Sequence, residues 1–301
     1  MSEWRDPEVA ALAAIMASMA QPEGAPAPSW TDRRAGIDAM GAMTPPPEGC
    51  VVESLTLGGV PAEKITPKDA DPTRTIFYLH GGGYCVGGSA SHRTMVARMA
   101  DASGATAFVL DYRMAPEHPF PAAVDDALAA WKALIALGRD PSRTVIAGDS
   151  AGGGLTLACT IAARDAGVAM PAGMHVISPW CNLTNVSAAY AAKAATDFVI
   201  TQAGIDEFAV TYLAGTDPKT PLASPLFGDL AGLPPLLIQV GSEEVLMSDS
   251  TSLAEAAGLA RVDVTLRIWP AMIHIWPFFA QLSASGPAIA ESSAWIKKTV
   301  G

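Results

Sequence analysis

Short hydrophobic runs recur along the chain from residue 50 onward, and helical windows separate most of them. The runs are rich in β-branched and aromatic residues, which favour strands. This alternation of strand and helix signals predicts an α/β protein with a largely parallel sheet. The eight runs are Cys50–Leu57, Val60–Thr66, Thr75–His80, Ala105–Asp111, Arg143–Gly148, Met174–Ser178, Leu236–Val240 and Val262–Trp269.

The connections between the runs predict the direction of the strands. Gly58-Gly59 joins the first two runs, and this pair is a hairpin signal, so the two strands should be antiparallel. Helical windows such as Ala122–Leu137 and Leu155–Ala166 separate later runs. A helical crossover of that length is typical of parallel strands.

Two regions depart from the alternation. The first 49 residues contain two helical patterns, Pro7–Ala20 and Thr31–Ala42, with Pro- and Gly-rich stretches after each. The stretch between Ser178 and Leu236 also lacks a convincing strand, and it contains two helical patterns, Val186–Ala195 and Gln202–Leu213. We interpret this second region as an insertion folded over the sheet.

Composition and charge narrow the class of protein. The chain has 301 residues, of which 50% are hydrophobic, and its mean hydropathy of +0.27 is typical of a folded globular protein. The net charge of −11 would repel a phosphate backbone, so nucleic-acid binding is disfavoured. The four cysteines form no CxxC pair, which predicts neither a zinc site nor a disulfide framework. They are Cys50, Cys85, Cys159 and Cys181.

The sequence has no membrane or secretion signal that we can identify. Its acidic start, MSEWRDPEV, lacks the basic patch and apolar run of a secretory signal, which predicts a cytoplasmic protein. No apolar stretch approaches about 18 residues, the length that a membrane-spanning helix needs. We therefore expect no stable membrane association.

The first candidate for chemistry is the pentapeptide from Gly148 to Gly152, which matches G-x-S-x-G. It follows a strand run and precedes a helical pattern, as in a turn that exposes a nucleophilic serine. Small residues at both ends allow a sharp turn and place the Ser150 hydroxyl at a helix N-terminus. The alternative is a glycine-rich turn that serves only packing.

A serine nucleophile needs a base, and this kind of turn uses the chain order serine, acid, histidine. Three of the five histidines precede Ser150, and His175 lies within a strand run too soon after it for an acid to intervene. Only His274 meets the order, in a loop after the last strand run. A histidine among apolar residues is otherwise usually a core residue.

The acid should follow the strand run Leu236–Val240, where three carboxylates compete: Glu243, Glu244 and Asp249. An acid there would accept the ring proton of His274 and stabilise the imidazolium. The other two carboxylates would then be solvated surface charges or charges at a helix N-terminus, as is usual for acids in such a loop.

Three glycines follow the third strand run and could supply an oxyanion hole. Gly82 and Gly83, together with Ala151 after the serine, expose N–H groups that could stabilise a tetrahedral intermediate. A plain flexible loop is the alternative. The chain lacks a P-loop lysine, G-x-G-x-x-G and HExxH, so phosphate, dinucleotide and metal sites have little support and no cofactor is expected.

These motifs together resemble one family. HGGGY, DYRMAPEHPFPAA, GDSAGG, GSEEVL and MIHIW are similar to those of the bacterial hormone-sensitive-lipase-like carboxylesterases, from about residue 50 to the end. The resemblance implies an α/β-hydrolase fold with a hydrolase core of 50–180 and 231–301. It also implies a helical cap formed by 1–49 and 181–230.

The resemblance also assigns roles to residues. It implies Ser150 as nucleophile, His274 as base and Gly82, Gly83 and Ala151 as oxyanion donors. Many relatives have G-x-x-D-P-L after the seventh strand, and here Glu244 stands at the aspartate position. Glu244 is therefore the predicted acid, with one methylene more than the usual residue. Asp149 is interpreted as scaffolding.

The predicted reaction is hydrolysis of short- to medium-chain acyl esters in two steps through an acyl-enzyme, without a cofactor. Amidase or peptidase action is the closer alternative, since the same residues would serve it. A non-catalytic small-molecule receptor of this fold is the other alternative, although such receptors lack the histidine.

Tyr84 and Trp180 are candidates for the substrate pocket, with core packing as the alternative. A homodimer is the assembly that we consider.

Overall fold

One sheet of eight strands runs through the protein, in the order β1-β2-β4-β3-β5-β6-β7-β8. The computed structural model describes residues 6–19 and 27–301. Strands β3 to β8 are parallel, whereas β1 and β2 are antiparallel to each other and β2 is antiparallel to β4. The strands are β1 Val51–Leu57, β2 Val60–Thr66, β3 Thr75–Leu79, β4 Thr106–Leu110, β5 Thr144–Asp149, β6 Gly173–Ile177, β7 Leu236–Gly241 and β8 Val264–Trp269.

The predicted sheet is confirmed. All eight predicted runs are strands, with bounds that differ from the prediction by no more than two residues. Leu57 pairs with Val60 across Gly58-Gly59, so the first two strands form the predicted hairpin. No strand occurs between Ser178 and Leu236, which are both described, and this agrees with the predicted insertion.

Helices cover both faces of the sheet. Those in the described residues are α1 Pro7–Met19, α2 Trp30–Gly41, α3 Ser89–Ser103, α4 Ala122–Ala136, α5 Ser150–Asp165, α6 Ala188–Lys193, α7 Gln202–Leu213, α8 Met247–Leu259 and α9 Ser285–Val300. Helix α5 begins five residues earlier than predicted, and α6 is shorter than the predicted Val186–Ala195. The predicted last residue of the first helix, Ala20, lies outside the described residues.

The core lies on both sides of the central strands. Every residue of β3, β4, β5, β6 and β7 is buried, which explains why these runs read as continuous apolar stretches. One apolar cluster lies under α4 and α5 around Trp131, and another lies under α3 and α9. Val9 and Leu12 of α1 belong to the second cluster. Strand β8 forms one edge and is only half-buried.

Candidate active site

Ser150 occupies the sharp turn between β5 and α5. It is the first residue of α5 and has a left-handed φ of 50°. A Cβ at Gly148 would lie 2.3 Å from the carbonyl oxygen of Gly152, and one at Gly152 would lie 1.9 Å from that of Leu79. No side chain fits at such distances, so both ends of the motif need glycine. The turn thus brings the serine against the end of β3.

Ser150, His274 and Glu244 form one continuous chain of hydrogen bonds. The Ser150 Oγ lies 3.0 Å from His274 Nε2, and His274 Nδ1 lies 2.9 Å from Glu244 Oε2. Because a carboxylate only accepts, Nδ1 carries the ring proton and Nε2 accepts from the serine hydroxyl. The arrangement unites residues that are 124 positions apart in the sequence.

The two other candidate acids have different partners. Glu243 forms an ion pair with Lys193 at 3.3 Å and accepts from Ser242 Oγ at 2.8 Å. Asp249 is buried in α8, where its Oδ2 accepts the backbone N–H groups of residues 181 and 182, each at 3.0 Å. Of the three carboxylates, the structure therefore brings Glu244 to the imidazole.

Burial and nearby charge set the protonation of these groups. Burial alone would lower the pKa of His274, but the hydrogen bond and charge of Glu244 outweigh it and raise that pKa above its usual value. Burial raises the pKa of Asp249 to about 7, although two backbone N–H groups oppose the shift. Asp249 is therefore a buried carboxyl group with a pKa near neutral pH. It is not part of the hydrogen-bonded chain of Ser150, His274 and Glu244.

The glycine loop lies beside the serine. Gly82 and Gly83 have left-handed φ values of 109° and 60°, and both line the same cavity as Ser150. Among the described residues, neither of their N–H groups has a hydrogen-bond acceptor. A Cβ at Gly82 would lie 2.2 Å from Val86 O. Ala151 is in the first turn of α5, where helix geometry leaves the N–H group without a partner.

A mostly apolar cavity of about 210 Å³ opens above these groups. Its walls come from the glycine loop, from α2, from residues 199–208 and from the His274 loop. Trp180, a candidate for the pocket, is among the lining residues, and its indole donates to Asn185 Oδ1 at 2.9 Å. The other lining residues are Ile37, His92, Val199, Ile200, Thr201, Gly204, Ile205, Phe208 and Ile275.

Tyr84 does not lie where it was predicted. Its side chain is 1% exposed and does not line the cavity. The ring instead stacks on Tyr212 of α7, with centroids 3.8 Å apart and planes inclined by 6°. We therefore correct the prediction for Tyr84 to its alternative, core packing.

Helices α2 and α7 meet at the cavity. Arg33 of α2 pairs with both carboxylate oxygens of Glu207 of α7, at 2.9 and 3.0 Å. The Trp30 ring packs edge-on against Phe208, with centroids 5.3 Å apart. Phe208 also lies over Gly83, where a Cβ would come within 2.2 Å of its ring. The N-terminal region and the insertion therefore close the cavity together.

Comparisons with known proteins show which family this chain is similar to. A family model described as alpha/beta hydrolase fold matches residues 76–278. An acetyl-hydrolase of Streptomyces hygroscopicus is 45% identical over 265 residues, which are 88% of this chain and 87% of that protein. The chain belongs to the α/β-hydrolase family. Carboxylesterase NlhH of Mycobacterium tuberculosis is 37% identical over 240 residues, which are 75% of this chain and 73% of that protein.

Solved structures place this α/β hydrolase near one group within the family. An esterase from the bacterial hormone-sensitive lipase family has a TM-score of 0.94 at 38% identity, with 100% of both chains covered. A second structure, soaked with p-nitrophenyl butyrate, has a TM-score of 0.93 at 41% identity and covers 98% of this chain and 99% of its own. The predicted resemblance and the predicted fold are therefore confirmed.

A buried ion pair behind the glycine loop had no clear sequence signal. Asp149 accepts from Tyr78 Oη at 2.8 Å and from Gly81 N at 3.1 Å, and its Oδ2 lies 3.3 Å from His92 Nε2. Burial alone would raise the pKa of Asp149, but the charge of His92 and these hydrogen bonds hold it below its usual value. Asp149 thus joins the serine turn to the glycine loop. These contacts are the physical basis for interpreting Asp149 as scaffolding.

Asp197 is a second buried acid that the sequence did not single out. Its Oδ1 accepts the N–H groups of Val199 and Ile200 in the cavity wall, at 3.0 and 2.8 Å. Its Oδ2 accepts from Val245 N at 2.9 Å, next to Glu244. Burial raises the pKa of Asp197 above its usual value. An aspartate in a segment without a motif gives no sign of such a long-range contact.

Residues 6–19 and 27–301 contain no group of three or more His, Cys, Asp or Glu side chains placed to hold a metal ion. Within the same residues, no helix has both the length and the apolar character needed to cross a membrane.

Proposed function

We propose that this α/β hydrolase is a serine carboxylesterase that hydrolyses short- to medium-chain acyl esters through an acyl-enzyme. The observation that carries the proposal is the hydrogen-bonded chain from Ser150 through His274 to Glu244, which ends at an apolar cavity. A serine hydroxyl paired with a base that is itself oriented by an acid is the arrangement that nucleophilic catalysis needs.

In the first step, Ser150 Oγ attacks the ester carbonyl carbon while His274 Nε2 accepts the hydroxyl proton. Glu244 holds the Nδ1 proton and stabilises the imidazolium. The carbonyl oxygen becomes an oxyanion, which the N–H groups of Gly82, Gly83 and Ala151 would stabilise. When the tetrahedral intermediate collapses, the ester C–O bond breaks and the alcohol leaves with the proton from His274.

In the second step, water repeats the attack on the acyl-enzyme. His274 accepts a proton from the water, and the resulting intermediate expels Ser150, which recovers its proton from His274. The products are the carboxylic acid and the free enzyme. Besides the ester and one water molecule, the two steps use Ser150, His274, Glu244 and the oxyanion donors of this chain.

The cavity supports a small apolar acyl group. At about 210 Å³ it lies below the range of roughly 300 to 1,000 Å³ that is typical of drug-sized ligand pockets. Its side chains from α2 and from residues 199–208 are mostly aliphatic or aromatic. The relative named as an acetyl-hydrolase and the butyrate ester used with a solved relative agree with this size.

The domain assignment belongs to the same proposal. Residues 1–49 and 181–230 would form the cap, with 50–180 and 231–301 as the hydrolase core. The contacts of Arg33 with Glu207 and of Trp30 with Phe208 support a cap assembled from both segments. A cytoplasmic location and a homodimer remain predictions from the sequence.

The test is a hydrolysis panel of p-nitrophenyl esters with acyl chains of two to twelve carbons and matched anilides, run on the wild type and on Ser150→Ala. We expect turnover of the shorter esters, little turnover of anilides and loss of at least about 10³-fold in kcat for the variant. Ser292→Ala is the control, because it deletes a buried hydroxyl in α9, whose partner is Ile289 O.

Two further outcomes separate the alternatives. A serine-reactive sulfonyl fluoride should add one sulfonyl group to the wild type and none to Ser150→Ala, measured by intact mass. Faster turnover of anilides than of esters would favour the amidase, and binding without turnover or labelling would favour the receptor. Normal ester turnover by Ser150→Ala would refute the proposed nucleophile.

A further inference from the structure

The two carboxylate oxygens of Glu244 have separate partners. Oε2 faces His274, whereas Oε1 accepts from Gly241 N at 2.6 Å and from Ser178 Oγ at 2.8 Å. The side chain is fully buried. A buried carboxylate requires hydrogen-bond donors to remain charged, and here Ser178 supplies the only donor from a side chain other than His274 among the described residues.

The Ser178 hydroxyl also contacts the histidine loop. It accepts from Ile275 N at 3.1 Å, and Ile275 directly follows His274. With its lone pair engaged by that N–H group, the hydroxyl directs its own proton to Glu244. Ser178 therefore connects the acid to the backbone of the loop that carries the base.

Ser178 is held rigidly at its own position. It is the first residue after β6, and its N–H group donates to Gln239 O of β7 at 2.7 Å. Ser178 and Ile275, which the hydrogen bond joins, both have left-handed φ values, of 49° and 46°. Strained conformations of this kind persist only where the surroundings fix them, and they concentrate at functional sites.

We propose that Ser178 is a positioning residue, whose hydroxyl orients Glu244 and the His274 loop relative to each other. This inference rests on the proposed function of Ser150, His274 and Glu244. Glutamate has one more rotatable bond than aspartate, so its carboxylate needs an additional constraint to present Oε2 to the imidazole. The donors on Oε1 supply that constraint, one from the backbone of β7 and one from Ser178.

The test combines Ser178→Ala with Glu244→Gln in a double-mutant cycle. In the wild-type background we expect Ser178→Ala to lower kcat by about 10-fold with KM little changed, since a hydrogen bond to a charged group is lost. In the Glu244→Gln background the same change should cost less than about twofold, because the charged acceptor is already gone. Ser292→Ala is again the matched control for loss of a buried hydroxyl.

One further variant and a measurement without turnover keep the test decisive. Ser178→Gly also deletes the hydroxyl, yet it suits the left-handed φ, so it should fold and show the same loss of kcat. An NMR titration of His274 should show its pKa raised further in Ser178→Ala, since Glu244 then depends more on the ring proton. This readout reports on Ser178 even if the ester assays contradict the proposed function.

Equal losses of kcat in both backgrounds would overturn the inference, since Ser178 would then act without Glu244. Unchanged kcat and an unchanged His274 titration in both Ser178 variants would overturn it as well. If Ser150→Ala kept normal turnover, the proposed function would fail instead, and the titration of His274 would still decide whether Ser178 positions Glu244.

Discussion

At the scale of single residues, the geometry of the serine turn depends on glycine. Gly152 packs so tightly that a Cβ there would lie 1.9 Å from Leu79 O and 2.5 Å from His80 O. Both contacts are with backbone of the strand end that leads to the glycine loop, so they cannot be relieved by a rotamer change. The close approach explains why the serine and the oxyanion donors lie side by side.

Gly152→Ala should therefore destabilise the protein by about 3 kcal/mol or more and abolish ester hydrolysis, because β3 or α5 must move. Thermal unfolding and the butyrate ester assay measure both effects. Gly258→Ala is the matched control in α8, where a Cβ meets nothing within 4 Å and helix propensity favours alanine by about 1 kcal/mol. A Gly152→Ala protein as stable and active as the control would contradict the packing argument.

Which of the three neighbouring acids, Glu243, Glu244 and Asp249, orients His274 also depends on single residues. Glu244→Gln should lower kcat by roughly 10³- to 10⁴-fold with its fold intact, since the amide no longer fixes the ring proton of His274. Glu243→Gln removes a partly exposed ion pair with Lys193 and should change kcat by less than about threefold. Steady-state kinetics with one ester distinguish the two variants. A larger loss for Glu243→Gln would transfer the role of the acid to that residue.

At the scale of elements, the contact between α2 and α7 controls the cavity wall. Phe208 lies over Gly83, and Trp30 supports it from the N-terminal region. Arg33 stacks over Trp30 at 4.6 Å and pairs with Glu207 on the surface. Trp30 and Phe208 are half-buried and pack apolar surface together, whereas the ion pair includes a Glu207 side chain that is 45% exposed, so the two contacts should differ in importance.

Trp30→Ala should raise KM for short esters several-fold with little change in kcat, because Phe208 loses its support while Ser150 and His274 are untouched. Glu207→Gln is the control, and it should change KM and the melting temperature only slightly, as expected for a surface ion pair worth about 0–1 kcal/mol. A fall in kcat at constant KM in Trp30→Ala would show that α2 acts on the catalytic groups instead.

The elements themselves could largely be predicted from the sequence. Periodicity and hairpin signals predicted all eight strands, since the central strands are buried on both faces and read as apolar runs. The start of α5 was placed late because Gly152, Gly153 and Gly154 weaken its helix propensity, whereas tertiary contacts hold it helical from Ser150. Local signals therefore located elements better than their ends.

The site was predicted only in part, for a related reason. Ser150, His274 and the glycine loop lie in motifs whose order along the chain carries information. The directions of side chains in loops depend on long-range packing, so the sequence left pocket lining and core packing both open for Tyr84, whose ring is buried against Tyr212. The contacts of Ser178, Asp149 and Asp197 join segments that are far apart in sequence, and no local pattern indicates them.

At the scale of the whole molecule, pH acts on activity through His274. The base must be neutral, and Glu244 raises its pKa above the usual value of about 6.5 against the effect of burial. We expect kcat/KM to fall as the pH drops through a value above 6.5. Since one proton is bound, log(kcat/KM) should change with a slope of one against pH. Initial rates from pH 5 to 9 measure this, and a flat profile down to pH 5 would contradict the assignment of His274 as base.

Stability should depend on pH through different groups. Burial lowers the pKa of His175 to about 4 and that of His80 to about 4 as well, so both stay neutral in the folded protein while the unfolded chain binds protons below about pH 6.5. Their contribution to stability is complete above about 6.5 and is lost as the pH falls toward 4. Asp249 acts in the opposite direction, since its raised pKa favours the folded state at low pH.

His175→Gln isolates one of these contributions, because Gln can still donate to Gln239 Oε1, which now accepts from His175 Nε2 at 3.2 Å. Because of the buried imidazole, the free energy of unfolding of the wild type should fall by on the order of 2 kcal/mol between pH 8 and pH 5. His175→Gln should not show this contribution to the fall. Urea unfolding at several pH values measures the difference, in which the shared effects of His80 and Asp249 cancel. His118→Gln is the control for loss of an imidazole at an exposed position. Parallel curves for the wild type and His175→Gln would mean that His175 is not the buried neutral group that makes the fold sensitive to acid.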